Sequence, residues 1–152
     1  MKTIVFTAAL FLSFAGCAQV SFTGYMVDSN DKKLKDVEVN LYKGNEIIST
    51  KNWSKSFDYN LEIEKYYTLE MVKDGFISKR IAISTFEGDK GAEPFVFVMQ
   101  LIANEKGVEG IDQDYPSALI EYEKEKKLFK FDERYAKNLK KEEKTAKKKK
   151  GN

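Results

Sequence analysis

Apolar and polar residues alternate in short runs over residues 20–102, as in "SFDYNLEIE" (56–64) and "YYTLEMV" (66–72). A period of two places every second side chain on one face, which is typical of a half-buried β-strand. Turn-forming pairs such as Gly44-Asn45 and Asp74-Gly75 separate these runs. The run "FVFVMQLI" (95–102) is apolar at every position but Gln100, which predicts a central strand buried on both faces. About seven strands with turns at roughly ten-residue spacing predict an all-β fold, a seven-stranded antiparallel Greek-key β-sandwich over residues 19–103.

The C-terminal third changes character. Residues 104–115 are acidic and contain glycine, as expected of a linker. Residues 116–139 predict a docking segment, with a short strand over 118–122 and a helix from about Asp132, although a small hairpin fits the same spacing. Its apolar side chains are too numerous for a disordered linker and must bury against the sandwich or a partner. The docking candidates are Ile120, Tyr122, Phe129, Phe131 and Tyr135.

Positive charge is concentrated at the C-terminus. The formal net charge of the whole chain is +2, but residues 136–152 hold eight lysines against two glutamates. Residues 140–152 therefore predict a disordered tail that either solubilises the protein or contacts an anionic surface. The candidate contacts are Lys147, Lys148, Lys149 and Lys150.

The N-terminus resembles an export signal. Residues 1–18 place a lysine before a short apolar run and then small residues, the order of a secretory signal peptide. Cleavage before Gln19 would release a soluble protein, whereas the lipobox-like sequence 14–17 would make Cys17 a lipidated first residue. We favour the soluble product because a strand begins by Val20, which leaves little tether. Either way we expect export, to the periplasm or outer membrane of a Gram-negative bacterium.

The composition argues against an enzyme. The chain has no histidine and one cysteine, which excludes Ser–His–Asp and Cys–His catalysis and histidine-ligated zinc. No motif predicts a metal site or a cofactor. We therefore expect no catalytic activity, and in an exported protein we expect no nucleic acid partner.

The stretch "FTGYMVDSNDKKLKDVEVNLY" (22–42) combines an apolar residue, Gly24, a Val27-Asp28 pair, a polar turn and a strand of alternating valines. It resembles the start of the carboxypeptidase regulatory-like (transthyretin-like, prealbumin-like) domains of bacterial envelope proteins. The Gly75-Phe76 pair ending a later hairpin resembles the same family, whose usual Asp-x-x-Gly turn is replaced here by "NWSK". Over about residues 20–102, the resemblance implies a transthyretin-like sandwich that serves as a part of uptake, secretion or gliding systems.

Two functions from different classes follow. One is a non-catalytic interaction module, an accessory subunit that docks on a larger envelope assembly and reaches the membrane through its partner or through a lipid on Cys17. The other is a module that binds glycans or peptidoglycan through aromatic side chains and the basic tail. The aromatic candidates are Trp53, Tyr66 and Tyr67, which would otherwise be packing residues at the end of the sandwich.

Overall fold

The computed structural model describes residues 18–89, 91–104, 115–139 and 141. The expected signal peptide (1–18, apart from Ala18), most of the linker and the lysine tail, apart from Lys141, lie outside the described residues. Nine strands and one short helix, α1, over residues 133–139 make up the regular structure of the described part. The strands are β1 (Gln19–Val27), β2 (Val37–Lys43), β3 (Glu46–Trp53), β4 (Ser56–Glu62), β5 (Tyr66–Val72), β6 (Lys79–Ser84), β7 (Phe95–Gln100), β8 (Ala118–Glu123) and β9 (Leu128–Phe131).

These strands form two sheets. The smaller has the order β4-β1-β7 and the larger has the order β3-β2-β5-β6-β8-β9. The all-β prediction is confirmed, but the seven-stranded antiparallel Greek key is not. Nine strands are present in the described residues, and β1 pairs with β7, and β6 with β8, in parallel. Side-chain alternation reports which face is buried and carries no information about the direction of the neighbouring strand.

The core lies between the two sheets and is built from the alternating positions. In β4, for example, Phe57, Tyr59 and Leu61 are buried while the residues between them are exposed. Val39 and Phe97, which the pattern places in the core, are both buried. The strands thus present one face inward, as their period of two predicts.

The C-terminal segment is part of this core. Residues 118–131 form a hairpin of β8 and β9 rather than the favoured single strand, and α1 follows where a helix is expected. Strand β8 continues the larger sheet beside β6. Ile120 and Phe129 are buried, and the Phe129 ring packs edge-on against Phe22 of β1 at 4.9 Å. The core therefore does not stop at residue 103.

Within the described residues, no helix has the length and apolar character needed to cross a membrane.

Candidate functional site

The three aromatic candidates do not form one surface. Tyr67 lies on the inward face of β5, because the strand alternation puts it on the same side as Leu69. It is buried in the core and is therefore not accessible to a ligand. Trp53 ends β3 opposite Val37 of β2, whereas Tyr66 begins β5 opposite Ser84 of β6. These positions lie toward opposite ends of the larger sheet.

Trp53 is a packing residue at the margin of the core. Its ring lies edge-on to Tyr59 at 6.0 Å, and the Lys51 ammonium lies 5.8 Å from the ring centroid. The indole Nε1 and the Tyr59 hydroxyl are buried and have no hydrogen-bond partner among the described residues. Both polar atoms are shielded from solvent, so they offer no open contact for a ligand.

Tyr66, in contrast, is 60% exposed. Its ring packs against Phe86 with 4.8 Å between centroids, and Phe86 is itself exposed. The Tyr66 ring is therefore accessible at the surface, beside a partner, Phe86, that the sequence did not single out.

The docking candidates divide between the core and the surface. Ile120 and Phe129 are fully inside, and Tyr122 packs partly against the core, in an edge-on contact with Phe129 at 5.2 Å. The hydroxyl of Tyr135, on α1, donates a hydrogen bond of 2.7 Å to the Pro116 carbonyl. Ile120, Tyr122 and Phe129 thus hold the segment to its own sandwich, whereas the Tyr135 hydrogen bond joins two parts of the segment itself. Phe131 alone among the candidates is exposed, at 38%, and its ring packs on Phe95 and Phe97 of β7.

The remaining candidates, Cys17 and Lys147, Lys148, Lys149 and Lys150, lie outside the described residues.

Strand β7 is the main departure from the expected burial. It is an edge strand, and β1 is its only paired neighbour among the described strands. Phe97 and Met99 point inward, but Val96 and Val98 point outward and are 57% and 61% exposed. The prediction of a central strand buried on both faces is therefore wrong. An uncharged apolar run is compatible with a central strand and also with an edge strand that has an exposed apolar face. The sequence alone therefore did not distinguish these two positions in the sheet.

The β7 edge, defined as Val96, Val98 and the adjoining Phe131, differs from the other sheet edges of the described part. The strands β3, β4 and β9 also lie at sheet edges, and each carries at least one charged side chain. Strand β7, "FVFVMQ", carries none. Charged side chains are a common protection of edge strands against pairing with other chains, so β7 is the least protected edge.

A polar network covers the outer face of the larger sheet, and sequence analysis did not find it. Glu70 of β5 accepts hydrogen bonds from the Tyr42 hydroxyl at 2.8 Å, from the Asn40 amide at 3.3 Å and from Arg80 Nε at 2.8 Å. Arg80 Nη2 lies 2.7 Å from the same carboxylate. Each residue takes an outward position in its strand, a signal visible in the alternation once the pairing of β2, β5 and β6 is known.

The network shifts the pKa values of two of its members, the Glu70 carboxyl group and the Tyr42 phenol. Burial would raise the pKa of Glu70, but hydrogen bonds from Tyr42, Arg80 and Asn40 and the charge of Arg80 outweigh it, so this pKa is lowered. The hydrogen bond to the Glu70 carboxylate, with burial, raises the pKa of the Tyr42 phenol. The ionised Glu70 carboxylate makes four polar contacts, so its acceptor sites are already occupied. Its role is therefore to stabilise the sheet.

No group of three or more cysteine, aspartate or glutamate side chains with metal-binding geometry occurs in the described part of the chain.

Comparison with known proteins gives little further information. No protein-family model matches the sequence, and no curated protein matches it. Among solved structures, the crystal structure of S.CueP superposes with a TM-score of 0.44 at 12% sequence identity. The match covers 55% of this chain, which spans about three fifths (62%) of the length of that protein. This likeness is too slight to bear on function.

Proposed function

We propose that this protein is a non-catalytic exported interaction module, an accessory subunit of a larger bacterial envelope assembly of the secretion, uptake or gliding type. The observation that supports it is the uncharged β7 edge with its two outward valines. Export is supported by the signal-like residues 1–18, and the envelope setting by the resemblance of residues 20–102 to carboxypeptidase regulatory-like domains.

The partner adds an extended segment to β7. Peptide groups on the unpaired side of an edge strand are available for main-chain hydrogen bonds, which give affinity, while alternate side chains give specificity. Val96 and Val98 would contact apolar side chains of the added strand on the outer face. Phe131 lies beside the strand on the inner face and would close the other side of the contact.

Site-specific photo-crosslinking in intact cells tests this mode. A photoreactive residue at position 98 should give one discrete crosslinked product, and mass spectrometry should identify its partner as an envelope protein. The matched control is position 47, because Ile47 is a similarly exposed apolar residue on the charged edge strand β3.

The double change Val96→Lys and Val98→Lys should abolish the product formed from a probe at Phe131, since two ammonium groups oppose strand addition. The same change at Ile47 and Ile48 should leave it intact. Equal crosslinking from both edges, or no product at position 98, would contradict the proposal.

A further inference from the structure

The outer face of the larger sheet carries a cleft of about 250 Å³. It lies between the turn that follows β2 and the segment that precedes β8, on the opposite sheet from the β7 edge. Six residues line it: Tyr42, Gly44, Asn45, Thr68, Arg80 and Pro116.

The floor of the cleft is fixed by the Glu70 network. Tyr42 and Arg80 both bond the Glu70 carboxylate, and the Arg80 guanidinium lies 6.0 Å from the centroid of the Tyr42 ring. A floor ordered before binding lowers the entropy lost when a ligand is held.

Both rims are also fixed. On one side the backbone N–H and hydroxyl of Ser117 bond the Arg80 carbonyl at 2.8 and 3.0 Å, and Tyr135 holds Pro116. On the other side the turn depends on Gly44, whose φ of 62° lies in the left-handed region that glycine adopts without strain. The cleft is therefore assembled from both the sandwich and the C-terminal segment.

The chemistry of the cleft is polar and close to neutral. The charges of Glu70 and Arg80 pair with each other at 2.7 Å and so cancel locally. The side chains of Thr68 and Asn45 have no hydrogen-bond partner among the described residues, and both can donate and accept. This combination favours a neutral ligand with many hydroxyl groups over an anion or a cation.

An aromatic surface continues the cleft along β5. Tyr66 and Thr68 share the outer face because Tyr67, between them, points into the core. The Gly44 N–H donates to the Tyr66 carbonyl at 3.4 Å, so the turn of the rim adjoins Tyr66. The exposed Tyr66–Phe86 pair thus offers apolar ring surface beside the hydroxyl and amide groups.

We propose that this face binds a neutral oligosaccharide. One sugar ring stacks on the Tyr66–Phe86 pair, and the next lies in the cleft with its hydroxyl groups bonded to Thr68 and Asn45. Sugars combine an apolar ring face with a polar periphery, which is the pairing that these residues present. This inference goes beyond the interaction module, because it uses the other sheet and different residues.

Titration of the full mature protein with chitotriose and with maltotriose, followed by nuclear magnetic resonance, tests the site. We expect millimolar or tighter binding of at least one of them, with shifts centred on residues 42–45 and 66–68. Tyr66→Ala should weaken binding about tenfold, and Thr68→Val several-fold, as expected for one stacking contact and one hydrogen bond. Tyr25→Ala is the matched control, an exposed tyrosine on the smaller sheet, and should change nothing.

Three outcomes would overturn the proposal. The first is the absence of a saturable chemical-shift change with either sugar at concentrations up to about 10 mM. The second is sugar binding that Tyr66→Ala leaves unchanged. The third is preferential binding of a proline-rich peptide to the same residues. Crosslinking from position 98 does not depend on these results, so the failure of this site and the failure of the β7 edge are distinguishable.

Discussion

Gly24 shows how one residue sets the packing of the smaller sheet. It faces Phe57 across the β1–β4 pair, and a Cβ atom placed on it would lie 2.2 Å from the Phe57 ring. Phe57 is fully buried, and its ring also packs against the rings of Tyr59 and Phe97. The close approach of the Phe57 ring is therefore the physical reason for a glycine at position 24.

Gly24→Ala should therefore destabilise the protein by about 1–3 kcal/mol, as expected for overpacking of a filled core. Guanidinium chloride unfolding measures the change. Gly91→Ala is the control, because no atom lies within 4 Å of the added Cβ, and it should leave the midpoint unchanged. Equal effects of the two changes would show that Phe57 yields to the methyl group.

Glu70 gives the clearest pH dependence. Its folded-state pKa lies below the ordinary value of 4.5, so the ionised form stabilises the fold. That contribution is complete above pH 4.5 and is lost as pH falls toward the folded-state pKa. Glu70→Gln should cost about 1–3 kcal/mol at neutral pH, because Arg80 loses its charged partner, and the difference from the unchanged protein should shrink in acid.

Urea unfolding at pH 7 and at pH 3 measures this difference. Glu62→Gln is the comparison. Its hydrogen bond to Lys43 and the charge of Lys43 also lower the pKa of Glu62, but this pair lies at the surface, where the Glu62 side chain is 36% exposed, so its deficit should be smaller than that of Glu70→Gln. A Glu70→Gln variant whose deficit stays constant with pH would show that the carboxylate charge is not what stabilises the network.

At the scale of elements, alternation predicted individual strands better than their neighbours. Strands such as β4 and β5 follow from apolar residues at every second position, and α1 follows from helical spacing. Two features escaped because they depend on pairing: the parallel partners of β1 and β6, and the edge position of β7. The polar network escaped for the same reason, since Asn40, Glu70 and Arg80 lie on three different strands and meet only through the sheet register.

The hairpin of β8 and β9 stabilises the sandwich mainly through its inward residues. Phe129→Ala should cost about 3–5 kcal/mol, because it leaves a cavity beside Phe22. Phe131→Ala, in the same strand at a partly exposed position, should cost clearly less. Chemical unfolding compares them, and the reverse order would mean that Phe131 rather than Phe129 anchors the hairpin.

At the scale of the whole molecule, the two sheets have unequal widths, three strands against six. Two strands of the larger sheet are β8 and β9, and their buried residues belong to the same core cluster as those of β1 and β2. A single core predicts a single unfolding transition, seen at the same denaturant concentration by Trp53 fluorescence and by far-ultraviolet circular dichroism. The two probes report different parts of the molecule, since Trp53 reports on the end of β3 whereas the dichroism averages over all strands of both sheets.

A chain ending at Ala103 should therefore fail to fold cooperatively, although it retains all seven strands of the expected sandwich. Without β8 and β9, the buried side chains Ile81, Ile83 and Phe22 lose neighbours that shield them from solvent. Apolar core surface exposed in this way binds the dye ANS, and the unfolding transition becomes broad. A chain ending at Leu139 is the matched control and should unfold as the full-length protein does, because every residue of the described core precedes that position. A chain ending at Ala103 with a sharp transition at the full-length midpoint would show that the first seven strands fold as an independent domain and that the hairpin only rests on them.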